Sequence, residues 1–126
     1  MVSQSQHLKR NSRQRRLARH RRVRQKIFGT ADCPRLSVFK SGKHFWAQII
    51  YDNLAKTIVS LTDVSKEIRD KHQGTKQDAA FALGKALAEK AKAKGVARVV
   101  FDRGGFVYQG RVQKFADGAR EGGLLF

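Results

Sequence analysis

Asp102 and the histidines are the residues whose chemistry could support acid–base catalysis or metal binding in this chain. A single carboxylate at the end of a strand can hold a divalent metal. Asp102 has no second acid where two carboxylates would obviously converge, so we favour a structural role, either capping the next turn or pairing with an arginine. The histidines, His7, His20, His44 and His72, lack metal-ligand spacing and suit surface or phosphate contacts better. We expect no catalytic residue, no metal site and no cofactor.

A dense run of cations in residues 1–29 points instead to binding of a polyanion. Within this arm no acid occurs, and the first acid of the chain is Asp32. A solvated charged surface would carry both signs, and a mitochondrial presequence would carry more apolar residues, so both are weaker interpretations. The candidate phosphate ligands are Lys9, Arg10, Arg13, Arg15, Arg16, Arg19, Arg21, Arg22, Arg24 and Lys26.

This arm has opposing tendencies toward helix formation. Its arginines and glutamines favour a helix, with Asn11 or Ser12 as a candidate N-cap and Gly29 as a candidate end. Like charges three and four residues apart oppose an isolated helix by roughly 2–3 kcal/mol. We therefore predict an arm that is partly helical when it lies against an array of anions.

The composition limits the partners and the cellular setting. A net charge of +17 and an isoelectric point near 11.0 favour nucleic acid first and an anionic membrane second. Membrane binding would need a continuous apolar stripe in the arm, and no apolar run approaches the ~18 residues of a spanning helix. The single Cys33 fits a reducing, intracellular setting. We expect neither a membrane nor a small-molecule substrate as partner.

Alternating side chains after the arm predict a three-strand antiparallel meander. Its strands are expected at Arg35–Lys40, His44–Tyr51 and Lys56–Leu61, joined by turns at Ser41-Gly42 and Asp52-Asn53. Each of the first two strands divides into two sets of alternating side chains, and one sheet face must be covered by helices. Parity alone does not say which face that is.

The clearest helix of the sequence follows the meander. Thr75 and Asp78 have the spacing of a capping box, and Gly95 is placed to end the helix, with Val96 packing back on its last turn. Its buried stripe is predicted to be Ala79, Ala80, Leu83, Leu87 and Ala91. A shorter helical turn is expected around Val64–Arg69.

A crossover connection and a last helix complete the predicted architecture. Val96–Phe101 reads as a strand buried on both faces, and a right-handed strand–helix–strand connection would place it parallel to a meander strand. A last helix at Arg111–Glu121 is expected to bury Val112, Phe115, Ala116 and Ala119. The fold class is therefore α/β, a mixed sheet with two main helices in residues 30–126, preceded by the basic helical arm.

Two regions outside the arm suit contact with nucleic acid. The loop at Arg103-Gly104-Gly105 offers backbone N–H groups unshielded by side chains, with Arg111 and Tyr108 close by. One set of strand side chains interleaves aromatic and polar groups as a base-reading surface does, namely Arg35, Phe39, His44, Trp46 and Gln48. The alternative is that Phe39 and Trp46 lie in the core under a helix. No segment reads as a helix-turn-helix, which favours RNA over DNA.

Two segments and the arm resemble a known family. PRLSVFKSGKHFWAQII (residues 34–50) and VVFDRGGFVYQGRVQKFADGAREGGLLF (residues 99–126) are similar to the bacterial large-subunit ribosomal protein L18 family. The resemblance implies an α/β domain that binds 5S rRNA and helps to attach it to 23S rRNA in the central protuberance. It also implies neighbouring ribosomal proteins as partners, a cytoplasmic location and no enzymatic activity. The arm beginning at Met1 is expected to leave no room for an organelle presequence.

The family motif, carried over to this chain, implies RNA contacts at two groups of positions besides the arm. The first group is Arg35, Lys40, Ser41, Lys43, His44 and Gln48, and the second is Arg103, Gly104, Gly105, Tyr108, Gly110 and Arg111. Trp46, which we include among the RNA contacts, stands where the family usually has tyrosine. The alternatives are a nonspecific nucleic-acid-binding protein and a metal-dependent nucleic-acid-processing enzyme that uses Asp102.

Overall fold

The computed structural model of the chain describes residues 11–65, 68 and 74–126. The elements in this part are α1 (Ser12–Arg24), β1 (Arg35–Lys40), β2 (Phe45–Tyr51), β3 (Lys56–Thr62), α2 (Lys76–Ala93), β4 (Val100–Asp102) and α3 (Arg111–Glu121). A 3-10 turn, Asp52–Leu54, joins β2 to β3. The predictions for His7, Lys9, Arg10 and His72 lie outside the described residues, as does half of the helical turn predicted at Val64–Arg69.

The sheet has the predicted mixed topology, with strand order β3-β2-β1-β4. β1 pairs with β2 and β2 with β3 in antiparallel fashion, whereas β1 and β4 are parallel. Helix α2 lies between β3 and β4 in the chain and makes the crossover that parallel pairing requires. The prediction of an α/β fold with a meander and one parallel strand is confirmed.

Strand β4 is shorter than predicted. It begins at Val100 rather than at Val96, and Asp102 is its last residue. The residues before it turn toward the carboxyl end of the chain, where Arg98 forms an isolated parallel bridge with Leu125 and the Val99 N–H donates to the Leu125 carbonyl. Within this run Val96 and Val99 are buried, Ala97 and Arg98 are exposed, and only its end joins the sheet, so the prediction of a strand buried on both faces is wrong.

The first hairpin loop is also longer than predicted. Lys40 pairs directly with Phe45, so the loop consists of residues 41–44 rather than Ser41-Gly42 alone. The Ser41 N–H donates to the His44 carbonyl, and the His44 N–H donates to the Ser41 hydroxyl oxygen. This local hydrogen bonding of a serine side chain competes with strand pairing. His44 is consequently in the loop, and β2 starts at Phe45.

Helices α2 and α3 cover one face of the sheet. Thr75 and Asp78 form the predicted capping box, and at the other end the Val96 N–H donates to the Ala91 carbonyl beyond a positive-φ Gly95. Every residue predicted for the two buried helix stripes is buried. All of them except Ala79 and Ala116 join one core with the sheet residues Leu36, Val38, Phe45, Ala47 and Ile49.

Glycines set the close approach of α2 to α3. A Cβ at Gly84 would overlap the Phe115 carbonyl oxygen, so we expect Gly84→Ala to force the helices apart and lower the free energy of unfolding by about 1–3 kcal/mol. Urea denaturation followed by circular dichroism measures the difference. Gly42→Ala is the matched control, since nothing lies within 4 Å of its added methyl group. Equal stabilities of the two variants would contradict the prediction.

Candidate nucleic-acid interface

Helix α1 is the described part of the cationic arm, and its start follows from local side chains. The Asn11 side chain accepts from the Gln14 N–H at 2.8 Å, and the Gln14 side chain accepts from the Asn11 N–H at 3.0 Å. This capping box satisfies two otherwise unpaired donors. The predicted N-cap at Asn11 is confirmed.

The helix ends at Arg24, well before the predicted end at Gly29. Gly29 instead lies against the sheet, where its N–H donates to the Asp52 carboxylate at 2.7 Å and its carbonyl accepts from the Asp52 N–H at 2.9 Å. A Cβ at this position would come within 2.5 Å of the Arg35 backbone nitrogen. Gly29 is therefore a close-packing residue and not a helix cap.

One side of α1 lies on the loop that follows β4. Arg16 Nη1 donates to the Gly104 carbonyl at 3.0 Å, and Arg19 Nε donates to the Gly105 carbonyl at 2.8 Å. His20 Nε2 lies 3.1 Å from Asp102 Oδ2. A side chain at Gly105 would strike the backbone of α1 at Arg16, so the second glycine of the loop permits this contact.

The other side of α1 faces solvent and carries the remaining charges of the described arm. Its exposed cations are Arg13, Arg15, Arg21 and Arg22, followed by Lys26 just beyond the helix. The arm is therefore two-sided. Arg16, Arg19 and Arg24 are partly buried against the protein, whereas the exposed set forms a positively charged ridge. We call this exposed set the outer ridge.

A buried ion-pair network supports the α1 contact. Arg35 is only 9% exposed and lies between two carboxylates. Its Nε and Nη2 reach Asp52 at 3.0 Å each, and its Nη1 reaches Asp102 Oδ2 at 2.9 Å. Asp102 is fully buried, and its Oδ1 accepts from the Gly104 N–H at 2.9 Å. The structural interpretation of Asp102, as turn cap and arginine partner, is confirmed.

The network shifts the pKa of Arg35 and the pKa of Asp52 in opposite directions. Burial opposes the charge of Arg35, but hydrogen bonds and charges from Asp52 and Asp102 raise the pKa of Arg35 above its usual value. The hydrogen bond from Arg35, helped by the Gly29 N–H and the charges of Arg35 and Arg24, lowers the pKa of Asp52 below its usual value. Both shifts favour the ion pair.

This depressed pKa predicts a pH dependence of stability. The contribution of Asp52 is fully present above its unfolded-state pKa of about 4 and is lost as the pH falls through the lower folded-state value. We expect the difference in unfolding free energy between the wild type and Asp52→Asn to be largest near pH 7 and to shrink below pH 4. Urea denaturation at pH 7, 4 and 2.5 measures it. Asp32→Asn, at an exposed loop position, should show no such trend.

The loop between β4 and α3 has fewer groups available to bind a phosphate than the sequence predicts. The Gly104 N–H, expected to be available to a phosphate, donates to Asp102. The Tyr108 hydroxyl accepts from Arg120 Nη1 at 3.0 Å, and Arg111 Nη2 donates to the Ser41 carbonyl at 2.7 Å. Gly110 is the N-cap of α3 with φ 58°. Arg103 alone among the predicted cations of this loop is exposed.

The sheet face opposite α2 and α3 is open in the described part of the chain. Phe39 and Trp46 are 47% and 39% exposed, and their ring centroids are 5.6 Å apart. The alternative that a helix covers these rings is therefore wrong. Arg16 contributes to the edge of this surface, with its guanidinium carbon 4.8 Å from the Phe106 ring centre and 5.4 Å from that of Phe39.

The remaining predicted contacts lie around the β1–β2 hairpin. Lys43 is exposed, whereas Lys40, Ser41 and His44 are half-buried and Gln48 is exposed on the sheet face. His44 Nδ1 lies 3.3 Å from Asp63. Arg111 and Lys76 both donate hydrogen bonds to carbonyls of the hairpin loop, and Lys76 Nζ lies 2.6 Å from the Gly42 carbonyl oxygen. Except for Arg35, each predicted site residue in the described ranges is at least partly exposed or is a glycine that shapes the loop.

Sequence reasoning missed the contact between α1 and the Gly104-Gly105 loop. The signal was the position of His20 and Val23, the less strongly charged residues of α1, on one helical face with Arg16 and Arg19. Among the residues that the structure describes, no group of three or more histidine, cysteine, aspartate or glutamate side chains is placed to hold a metal ion. Among those same residues no helix is long and apolar enough to span a bilayer.

Comparison with known proteins gives a consistent result over nearly the whole chain. Residues 9–126 match the family model for ribosomal L18 of archaea, bacteria, mitochondria and chloroplasts. The large ribosomal subunit protein uL18 of Clostridium kluyveri is 54% identical over 111 residues, which is 88% of this chain and 92% of the relative. The protein of the same name from Thermotoga petrophila is 50% identical over 119 residues, or 94% and 98% of the two chains.

Proposed function

We propose that this chain, which belongs to the ribosomal L18 family, binds 5S rRNA and helps to attach it to 23S rRNA in the central protuberance. Family membership makes it a structural, non-enzymatic component of the large ribosomal subunit in the cytoplasm. Its partners are accordingly ribosomal RNA and ribosomal proteins. The particular RNA and the place in the subunit are our proposal.

The observation that carries this proposal is the position of α1, the helix that bears the outer ridge, at the edge of the open sheet face. Arg16 belongs to α1 and also contacts Phe39 and Phe106, so the helix and the sheet surface share an edge. A folded RNA can therefore meet closely spaced cations and exposed aromatic rings together. Cations neutralise phosphates without reading sequence, whereas aromatic and polar groups on a rigid sheet recognise RNA shape and unpaired bases.

The buried network gives this surface a fixed geometry. Arg35 links Asp52, beside Gly29, to Asp102, beside the Gly104-Gly105 loop, and His20 extends the network into α1. Through these bonds the arm is oriented relative to β1 and β4. We propose that Arg35, predicted from the family motif to contact RNA, acts by positioning this surface.

Two other functions receive less support from the geometry. A metal-dependent enzyme would need Asp102 to be accessible, but it is fully buried and bonded to Arg35, His20 and Gly104. A nonspecific nucleic-acid binder would need the outer ridge alone and would leave the exposed Phe39 and Trp46 unexplained.

Competition between RNAs tests the proposed partner. Labelled 5S rRNA is bound to the full chain at physiological salt and displaced with unlabelled 5S rRNA, an unrelated RNA of the same length, or duplex DNA. We expect 5S rRNA to compete at least ~1,000-fold better than the others, the lower end of specific over nonspecific binding. Equal competition by all three would refute the proposed function.

Arg103 offers a point test of the loop. It is exposed at the carboxyl end of β4 and has no ion pair with another described residue. We expect Arg103→Ala to weaken 5S rRNA binding and to lower the salt slope, the change in log K with log salt, by about 1. Arg98→Ala is the matched control, since Arg98 is exposed before the start of β4. Filter binding at several salt concentrations measures both, and indistinguishable slopes would exclude Arg103 as a phosphate contact.

A further inference from the structure

A shallow groove of about 260 Å³ crosses the open sheet face. Its lining includes Ser37, Phe39, Trp46, Gln48 and Ser60. The strand register places Phe39 opposite Trp46, and in the next row Ser37 opposite Gln48 and Gln48 opposite Ser60. The volume is below the ~300–1,000 Å³ of sites that enclose a whole small molecule. The groove therefore suits one flat group that belongs to a larger partner.

The aromatic row provides exposed ring faces at one end of this groove. The Phe39 and Trp46 rings are tilted by 48° and remain substantially exposed, with His44 edge-on to Trp46 at 6.1 Å. Large exposed aromatics that pack on one another cost free energy in water unless a partner covers them. Every nucleobase has a π-face that stacks on such rings.

The polar row provides hydrogen-bonding groups within reach of the same space. Gln48 Oε1 accepts from the Thr57 hydroxyl at 3.4 Å, which leaves the carboxamide N–H groups as donors. The hydroxyls of Ser37 and Ser60 can each donate or accept. This mixture of donors and acceptors beside an aromatic wall matches the edge and the face of a base, and it does not match an apolar protein segment.

The positive charges near the groove also favour a nucleic acid as its partner. Lys40 ends β1 beside Phe39, and its Nζ lies 5.5 Å from the centre of the Phe106 ring, which is 5.9 Å from that of Phe39. Burial together with the nearby Arg111 lowers the pKa of Lys40 below its usual value. Within the described residues neither Lys40 nor Arg111 forms an ion pair with an acid. Two neighbouring cations without a carboxylate favour an anion, and a phosphate beside a base supplies one.

We propose that this groove binds one unpaired base of the bound RNA, stacked on Trp46 with its edge toward Gln48 and with the adjoining phosphate near Lys40. The proposal rests on the proposed function, since the RNA is taken to be 5S rRNA. It adds a defined single-nucleotide site to a surface that otherwise recognises shape and charge.

The test uses the single tryptophan of the chain as its reporter. Full-length protein is titrated with 5S rRNA while the Trp46 emission is recorded, and dissociation constants are measured separately by filter binding for the wild type, Trp46→Ala and Trp46→Phe. We expect quenching at saturation and a 5- to 150-fold weaker binding of Trp46→Ala, the range expected for loss of one stacked base. Trp46→Phe should bind within about threefold of the wild type because it retains an aromatic face.

The salt dependence separates stacking from charge. Trp46→Ala should leave the salt slope unchanged, whereas Lys40→Ala should lower it by about 1. Leu54→Ala, an exposed apolar position in the β2–β3 turn, is the control and should keep wild-type affinity and slope. Circular dichroism confirms that each variant is folded.

The outcomes distinguish the two proposals. If 5S rRNA binds specifically but the Trp46 emission is unchanged, or Trp46→Ala binds like the wild type, the base-binding site is refuted and the proposed function stands. A loss with Trp46→Phe as large as that with Trp46→Ala also refutes stacking. If 5S rRNA binds no better than an unrelated RNA, the proposed function fails, and this inference fails with it.

Discussion

Simultaneous replacement of the outer-ridge residues Arg13, Arg15, Arg21 and Arg22 by glutamine is expected to reduce the salt slope of 5S rRNA binding by about 3. Each phosphate contact contributes about 0.7–0.9 to that slope, so four lost contacts account for the change. Glutamine preserves helix propensity and removes only charge. Filter binding between 50 and 400 mM salt measures the slope, and the affinity difference from the wild type should be largest at the lowest salt.

The comparison for that experiment removes charge from the side of α1 that contacts the Gly104-Gly105 loop. Arg16→Gln and Arg19→Gln remove guanidiniums that donate to the Gly104 and Gly105 carbonyls. These variants should change the slope by less per arginine than the outer set, because their groups already bind the protein. A slope that depends only on how many arginines are removed, and not on which ones, would show that the two-sided arrangement of α1 has no part in RNA binding.

Asp102→Ala is expected to lower the free energy of unfolding by about 3–5 kcal/mol. The substitution leaves the buried guanidinium of Arg35 with one carboxylate instead of two and removes the acceptor for the Gly104 N–H. Breaking a buried ion pair from one side typically costs this much, because the remaining charge stays desolvated. For a domain with a total stability of 5–15 kcal/mol, the loss is a large fraction. Urea denaturation at pH 7 measures it.

A paired substitution identifies the source of that loss. Asp32→Ala, at an exposed loop position, should change the stability by less than about 0.5 kcal/mol. Arg35→Met combined with Asp102→Ala removes both partners of the Arg35–Asp102 pair, so the double variant should be less destabilised than the sum of the single variants. Strict additivity would mean that the two side chains are not coupled.

The helices and the meander could be predicted from the sequence because their signals are local. Thr75 with Asp78, and the apolar spacing of Val112, Phe115 and Ala119, define α2 and α3 almost to the residue. The exact lengths of β4 and of the first hairpin loop could not be predicted in this way. They depend on the Leu125 bridge and on the Ser41 hydroxyl, which compete with regular pairing.

The candidate site was predictable in its charge but not in its arrangement. The arginine content of α1 identifies a polyanion partner, and the alternation of β2 places Trp46 and Gln48 on one face. That Arg35 points inward, and that Arg16 and Arg19 bind backbone carbonyls, depends on Asp102 and the Gly104-Gly105 loop. These partners are 67 residues away from Arg35 and 88 and 86 residues away from Arg16 and Arg19 in sequence. Local patterns carry no information about such a contact.

The same sequence separation constrains the order of events during synthesis. Arg16 and its acceptor Gly104 are 88 residues apart, and synthesis from the amino terminus makes the arm before the loop. At a translation rate of about 5–20 residues per second, roughly 4–18 s pass before that acceptor exists. During this interval α1 has no surface of its own protein to lie on, and its arginines face a cytosol rich in nucleic acid. A nascent chain must therefore either remain unbound for that time or meet RNA before its fold is complete.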